Sequence, residues 1–204
     1  MGGLENLTAW FKSRAPAFAN TARYAGLPLP KGVLLVGVPG CGKSLSARAG
    51  QSEANLRMAI QTAEAVSPCI LWIDEVEKGF SGVRGQGGEG VAARVFGSFL
   101  NWLQDKRSPV FVVATANDLS GIPPEFLRQG RFDDIFFVGL PGDREREAVF
   151  RVHLARRKRD AGRELETADM AAAAKETYPL SRSRAREIAL LTAWASRNAK
   201  AASR

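Results

Sequence analysis

A glycine-rich octapeptide between two apolar segments constrains this chain more than any other feature. Residues 32–36 read GVLLV, the composition of a buried strand, and residues 45–49 read LSARA, the composition of a helix. Between them lies Gly37-Val38-Pro39-Gly40-Cys41-Gly42-Lys43-Ser44. A strand, a glycine-rich turn and a Lys-Ser pair at the start of a helix are the parts of a phosphate-binding P-loop. The octapeptide therefore predicts a site for a polyphosphate.

The residue types of the octapeptide suit this chemistry. Glycine has no Cβ, so the turn can bring backbone N–H groups against phosphate oxygens. The start of the following helix adds free N–H donors and a positive dipole end. Lys43 is predicted to bind the β- and γ-phosphates, and the Ser44 hydroxyl is predicted to ligate Mg²⁺. The alternative is a glycine-rich turn with a solvated lysine.

Two further apolar runs end in polar side chains. Residues 69–73 precede Asp74 and Glu75, and residues 110–116 precede Asn117. Because ligands bind at the carboxyl ends of parallel strands, these side chains are expected to converge near Lys43. Asp74 suits a Mg²⁺ shell; Glu75 would orient and deprotonate an attacking water, which Asn117 would position. The alternative for the two carboxylates is a solvated helix start.

These motifs together define a predicted site. The predicted metal ligands are Ser44 and Asp74. The predicted cofactor-binding residues are Gly37, Pro39, Gly40, Cys41, Gly42, Lys43, Ser44, Leu45 and Asp74.

Strand-like and helix-like segments alternate along most of the chain, which predicts a doubly wound parallel α/β sheet. Residues 4–24 have a helical pattern that Pro16 is expected to break into two pieces, and residues 122–130 are expected to form a short helix. After residue 144 the pattern is only helical. The chain therefore divides into a nucleotide-binding α/β domain, residues 1–142, and a small helical lid domain, residues 143–204.

Charge and cysteine content limit the possible partners and compartment. The 204-residue chain carries a net charge of +8, much of it in residues 156–159 and 182–204. A basic face can attract nucleic acid, but a solvated helix face is favoured because no aromatic residues interleave for base stacking. No apolar run is long enough to cross a bilayer, and residues 1–6 lack the features of a secretory signal. We therefore expect a cytoplasmic protein whose two cysteines are reduced.

Four segments of the sequence stand in the order found in AAA ATPases. Residues 37–44, 70–75, 114–118 and 124–133 resemble the Walker A, Walker B, sensor 1 and arginine-finger segments of that family. The resemblance extends from about residue 3 to residue 154. Residues 50–57 and 74–78 also resemble the Ycf-type AAA proteins of plastids and bacteria.

The resemblance implies an enzyme, an ATPase that uses ATP and Mg²⁺ and acts as a homo-oligomer, a hexameric ring, to remodel a protein partner. Arg128 and Arg131 would then join Glu75 and Asn117 as catalytic residues by reaching the γ-phosphate held by a neighbouring subunit. The alternative for the arginines is a surface salt bridge with Asp133 or Asp134. Two other functions stay open: a nucleotide-dependent assembly switch with slow turnover, and association with nucleic acid through the basic end.

The sequence also departs from the family pattern. Only 31 positions separate Lys43 from Asp74, and neither a second strand nor an aromatic pore loop is identifiable between them. Either this domain is truncated or a segment between Ala49 and Gly50 has been omitted, and omission is the favoured reading. Arg186 is a candidate for the sensor 2 arginine, although a solvated basic helix is favoured there. The single histidine, His153, has no companions with metal-ligand spacing.

Overall fold

A computed structural model describes residues 4–19, 29–38, 53–78, 89–120, 122–128, 130–149 and 179–203. Its strands are β1 (Gly32–Gly37), β2 (Cys69–Ile73), β3 (Val110–Ala116), β4 (Asp134–Val138) and β5 (Lys200–Ala201). Its labelled helices are α1 (Glu5–Ala19), α2 (Glu53–Ala65), α3 (Glu89–Asp105), α4 (Leu180–Ser183) and α5 (Ala185–Asn198). Residues 143–149 are also helical, and Pro124–Leu127 form one 3₁₀ turn.

The five strands form one parallel sheet in the order β2-β3-β1-β4-β5. Every residue of β1 and of β3 is buried, as expected for strands that read as continuous apolar runs. Crossovers therefore carry the chain over the sheet faces, and the carboxyl ends of β2, β3 and β1 meet at one edge. The predicted doubly wound parallel sheet is confirmed.

Two apolar cores flank the sheet because successive strand residues point to opposite faces. Leu34 and Val36 of β1 face a core that includes Phe99 and Leu103 of α3. Val33 and Leu35 face the opposite core, which includes Leu7 and Trp10 of α1. The central strands β1 and β3 are thus covered on both sides, and the polar groups of the predicted site lie at or near the carboxyl ends of the strands.

Helix α1 continues through Pro16 to Ala19, so the predicted break at Pro16 is wrong. Proline removes one backbone donor, but the contacts of Leu7 and Trp10 hold the helix against the sheet independently of that bond. The helix predicted over residues 122–130 is also shorter than expected, since Pro124–Leu127 alone form a 3₁₀ turn.

The prediction that the chain is only helical after residue 144 is wrong at its end. Lys200 and Ala201 pair in parallel with Phe136 and Phe137. A two-residue strand has no periodic signal in the sequence, because its pairing depends on contacts with distant residues. The domain boundary at residues 142 and 143 stays a prediction, since residues 150–178 lie outside the described part of the chain.

Within the described ranges, no helix combines the length and the apolar character needed to cross a membrane.

Candidate active site

The polar residues predicted from the sequence meet at the carboxyl edge of the sheet. Gly37 ends β1, Asn117 follows β3, and Asp74 and Glu75 follow β2. Val36 is in register with Ala116, and Ile73 with Ala114. With adjacent strands about 4.8 Å apart, the end of β1 lies one strand from Asn117 and two from Glu75.

Gly37 has a packing role that the motif alone does not reveal. A Cβ at this position would lie 2.2 Å from the carbonyl oxygen of Val138 on β4. A side chain here would therefore separate β1 from β4 just before the predicted phosphate-binding turn. The turn itself, with Pro39, Gly40, Cys41, Gly42, Lys43, Ser44 and Leu45, lies outside the described residues, and its role stays a prediction.

Thr115 forms hydrogen bonds with both acidic residues that follow β2. This residue is fully buried in β3, where the side chains around it are apolar. Its hydroxyl donates a hydrogen bond to Oδ1 of Asp74 at 2.5 Å and accepts one from the backbone N–H of Glu75 at 2.9 Å. One hydroxyl thus fixes both the Asp74 carboxylate and the backbone that presents Glu75.

The backbone of Glu75 adopts a left-handed conformation, with φ of 51°. Such a conformation is uncommon for a residue other than glycine, and its occurrence beside clustered polar groups marks a candidate functional position. The side chain of Glu75 is 35% exposed and accepts a hydrogen bond from Nδ2 of Asn117 at 3.2 Å. Its other oxygen forms an ion pair with Nζ of Lys78. Glu75 therefore lies at the surface of the site with its carboxylate oriented by two neighbours.

Asn117 is held from two sides. Besides its side-chain bond to Glu75, its backbone N–H donates a hydrogen bond to Oε1 of Glu77 at 3.0 Å.

Burial raises the pKa of Glu77, and the nearby Glu75 and Asp118 carboxylates add to the increase, while hydrogen bonds from the backbone N–H groups of Glu77 and Asn117 oppose it. The ion pair with Glu75 raises the pKa of Lys78. Glu77 and Lys78 are site residues that sequence analysis missed.

The donor set fits Mg²⁺ chemistry in one respect. Asp74 supplies a carboxylate oxygen, the ligand type that Mg²⁺ prefers. Among the described residues, no group of three or more His, Cys, Asp or Glu side chains is placed to hold a metal ion. A cation at Asp74 would therefore take most of its remaining ligands from phosphate oxygens and water, as in other phosphate-binding sites.

Arg128 and Arg131 lie at the opposite edge of the sheet. Both arginines precede Asp134, the first residue of β4. Gly130, the residue before Arg131, accepts a hydrogen bond at its carbonyl oxygen from Nζ of Lys31, and Lys31 lies just before β1. The five steps from Gly32 to Gly37 correspond to roughly 17 Å, at about 3.3 Å per residue. The structure therefore does not bring these arginines together with Glu75 and Asn117 within one chain.

The carboxylates proposed as alternative partners of the arginines have other contacts. Asp133 accepts hydrogen bonds from the backbone N–H groups of Lys31 and Gly32. Asp134 forms ion pairs with Arg14 at 3.5 Å and Lys200 at 2.6 Å. Arg128 is exposed, whereas Arg131 is partly buried. The described contacts thus give no support to a local salt bridge.

A comparison with protein families identifies a match over part of the chain. The sequence model of the ATPase family associated with various cellular activities (AAA) matches residues 48–140. This range includes both carboxylates, Asn117 and the two arginines, and it begins after the glycine-rich octapeptide.

Several curated proteins are similar in sequence. The AAA domain-containing protein ycf46 of Guillardia theta is 49% identical over 176 residues, covering 76% of this chain and 35% of that protein. Its counterpart in Pyropia yezoensis is 46% identical over 178 residues, with 76% and 36% covered. The cell division control protein 48 homolog C of Arabidopsis thaliana is 32% identical over 184 residues, with 78% and 22% covered. The chain spans about a third of the length of the ycf46 relatives.

A solved structure shares the fold. The crystal structure of the FIGL-1 AAA domain superposes with a TM-score of 0.74, covering 98% of this chain and 88% of that one at 18% identity. The sheet order, the family match and the ycf46 relatives agree with one another, and they show that the chain belongs to the AAA family.

Proposed function

We propose that this chain is the catalytic domain of a Mg²⁺-dependent ATPase that works as a ring oligomer. The observation that carries the proposal is the hydrogen bond between Glu75 and Asn117 beside the end of β1. Membership of the AAA family supports ATP binding and hydrolysis. The oriented carboxylate supports hydrolysis more specifically, because binding alone does not require a base for water.

Each residue has a separate role in the proposed reaction. Residues 37–45 would hold the phosphates of ATP, with Asp74 directed to the Mg²⁺ shell. Glu75 would accept a proton from the attacking water, and Asn117 would hold that water and the Glu75 carboxylate in place. Arg128 and Arg131 would offset the negative charge that develops on the transferred phosphoryl group.

The separation of the two groups of residues supports an oligomer. The arginines lie at the amino ends of the strands and the carboxylates at the carboxyl ends, so a subunit would use its arginines at a neighbour's phosphate site. Strand β1, which runs between the two ends, is roughly 17 Å long at about 3.3 Å per residue. A ring, with a hexamer as the proposed form, satisfies this requirement for every subunit because each contact is head-to-tail. ATP hydrolysis by the ring would drive a conformational change in a macromolecular partner. The same proposal places the protein in the cytoplasm.

The test compares nucleotide binding with hydrolysis in two variants. Glu75→Gln should bind ATP with nearly unchanged affinity and lose hydrolysis by about a hundredfold or more, as expected for removal of a catalytic base. Lys43→Ala should lose ATP binding. Exposed Lys12, on the far side of α1, provides a control as Lys12→Ala, which should resemble the wild type. Equal turnover in the wild type and Glu75→Gln would reject the enzymatic role of Glu75.

A second candidate function is a nucleotide-dependent assembly switch with slow turnover. It is favoured by the ion pair between Lys78 and Glu75, which occupies the second oxygen of the proposed base. A switch of this kind would change its oligomeric mass on ATP binding while releasing almost no phosphate. Mass measurement with and without ATP, run beside the turnover assay, separates the two functions.

A further inference from the structure

The segment that carries the two arginines is fastened to the start of β1. Nζ of Lys31 donates a hydrogen bond to the carbonyl oxygen of Gly130 at 2.7 Å. Gly130 has φ of +93°, a conformation that favours glycine, and it directly precedes Arg131. The lysine therefore fixes the peptide group that leads into Arg131.

Asp133 fastens the other side of Arg131 to the same place. Its Oδ2 accepts hydrogen bonds from the backbone N–H groups of Lys31, at 2.7 Å, and Gly32, at 2.9 Å. Its own N–H donates to the carbonyl of Gly32 at 2.8 Å. With the Lys31 side chain, these contacts make four hydrogen bonds between residues 31–32 and residues 130–133.

Apolar packing completes the support. Phe126 and Phe132 are buried and their ring centroids lie 5.3 Å apart. Arg128 and Arg131 both lie between these two residues in the sequence. Arg128 is exposed to solvent, whereas Nη1 of Arg131 is buried without a hydrogen-bond partner in the described part of the chain. The segment is therefore anchored by its two aromatic residues, which flank both arginines in the sequence.

We propose that Lys31 and Asp133 are positioning residues that hold Arg128 and Arg131 in the geometry needed at a neighbouring subunit's phosphate site. This inference rests on the proposed function, because it assumes that the arginines act between subunits. It assigns a role to two residues that lie at the edge of the sheet opposite to Glu75 and touch none of the reacting groups.

The physical reason is the cost of ordering a loop. A guanidinium on an unfastened segment must lose conformational freedom each time it engages a phosphate, and preorganisation removes that cost. Misplacement of a catalytic group by about 1 Å can lower a rate by about a hundredfold. Loss of the Lys31 contact should therefore lower kcat while leaving the affinity for ATP unchanged.

The experiment uses Lys31→Met, with Lys31→Arg as its matched control. Methionine keeps an unbranched side chain but has no donor for the Gly130 carbonyl, whereas arginine retains a cationic donor. Lys31→Met should lower kcat by about ten- to a hundredfold with KM little changed. Lys31→Arg should keep most of the activity. Asp133→Ala should give a larger loss, and if that variant does not fold the lysine pair still decides the question.

Mixed oligomers distinguish positioning from a general structural defect. A Glu75→Gln subunit cannot hydrolyse ATP but has intact arginines, so it should rescue the site of a Lys31→Met neighbour. A mixture of the two variants should therefore turn over ATP faster than either alone. Absence of rescue, or full activity of Lys31→Met, would overturn the inference.

Arg131→Ala tests the proposed function in the same assay. It should lose activity and be rescued by Glu75→Gln in the same way. Wild-type activity in Arg131→Ala would refute the role of Arg131 itself. Loss and rescue in Arg131→Ala without a matching effect in Lys31→Met would refute only the positioning role.

Discussion

At the scale of single residues, Thr115 determines how the site is built. Its hydroxyl is both a donor to Asp74 and an acceptor from the backbone of Glu75, so one buried group links β3 to the end of β2. The sequence contains a signal for this role, since a threonine interrupts an otherwise apolar strand of seven residues. Its partners were not predictable, because they depend on the register between β2 and β3.

Replacement of Thr115 by valine should damage both stability and activity. Valine preserves the shape but leaves the partly buried N–H of Glu75 without its acceptor, and an unsatisfied buried donor costs about 1–3 kcal/mol. Turnover should fall with it because the Asp74 carboxylate loses its donor. Urea unfolding and ATP turnover test this, with Thr115→Ser as the control that keeps the hydroxyl. Equal behaviour of the valine and serine variants would contradict the assigned role.

Lys106 is a partly buried polar residue that bonds to backbone groups at the amino ends of the strands. Its Nζ donates hydrogen bonds to the carbonyls of Val110 and, at 3.4 Å, Pro30. Burial lowers the pKa of Lys106 from its usual 10.5 to about 8, and the positive charge of Lys31 adds to the effect. The carboxylates of Asp133 and Glu64 and the Cys69 thiol act in the opposite direction.

The lowered pKa predicts a dependence of stability on pH. Between about pH 8 and pH 10.5, the unfolded chain binds a proton at Lys106 that the folded chain has released. The free energy of unfolding should therefore gain a positive contribution with rising pH across this window. Urea unfolding of the wild type and Lys106→Met at several pH values isolates that contribution as the difference between two slopes. Identical slopes would show that the lysine titrates normally.

At the scale of elements, α1 and β5 hold each other against the sheet. Nδ2 of Asn6 donates to the carbonyls of Ala201 and Ser203 at 3.1 and 3.0 Å, and the Leu7 N–H donates to the carbonyl of Ala202 at 3.1 Å. Trp10 donates from its indole to Asp134 and packs on Phe136 with ring centroids 5.7 Å apart. Residues near the two described ends of the chain thus close one face of the sheet.

Trp10→Ala should be the most destabilising change in this layer. Trp10 is 8% exposed, and truncation of a buried tryptophan costs about 3–5 kcal/mol. The free energy of unfolding in urea measures the loss, and the exposed Lys12→Ala on the same helix provides the control. A loss below about 1 kcal/mol, the size typical of a surface change, would show that α1 does not contribute to the core.

The elements differ in how far they could be predicted. Strands β1, β2 and β3 were predicted because each is an apolar run that ends at a polar or glycine residue, a pattern that is present in the local sequence. Helix α1 past Pro16 and strand β5 were mispredicted because both depend on distant contacts. The arginine segment was predicted from its resemblance to a family, whereas its attachment to Lys31 required the fold to bring residues about a hundred positions apart together.

At the scale of the whole molecule, the chain differs from its relatives in length. The alignment with the Guillardia theta relative extends over 176 residues, whereas 76% of this 204-residue chain is about 155 residues. The relative therefore has about 20 residues that this chain lacks within the shared region. That number is enough for one strand and a loop, in agreement with the short interval between Lys43 and Asp74.

The described sheet has an open side at which such a strand would fit. Strand β2 is the outermost strand on one side of the described sheet. Its Ile70 is 68% exposed, although every residue of the strand is apolar. Apolar edge strands without protecting charges are unusual in a stable monomer. This feature supports the interpretation that a neighbouring segment has been omitted after residue 49, a position outside the described residues.

In the proposed function, the arrangement of the described sheet divides the reaction between two subunits. One edge of the sheet carries Glu75 and Asn117, and the other carries Arg128 and Arg131 with their supports. Under the proposed function, the two ends of the described strands act at the phosphates of different subunits. The activity of the protein should therefore depend on its assembly and not only on its fold.

The most direct test is the turnover of ATP per subunit as a function of protein concentration, with the oligomeric mass measured in parallel. Turnover per subunit should be low where the protein is monomeric and should rise to a plateau as oligomers form. Constant turnover per subunit, extending into the range where the measured mass is that of a monomer, would contradict a site shared between subunits.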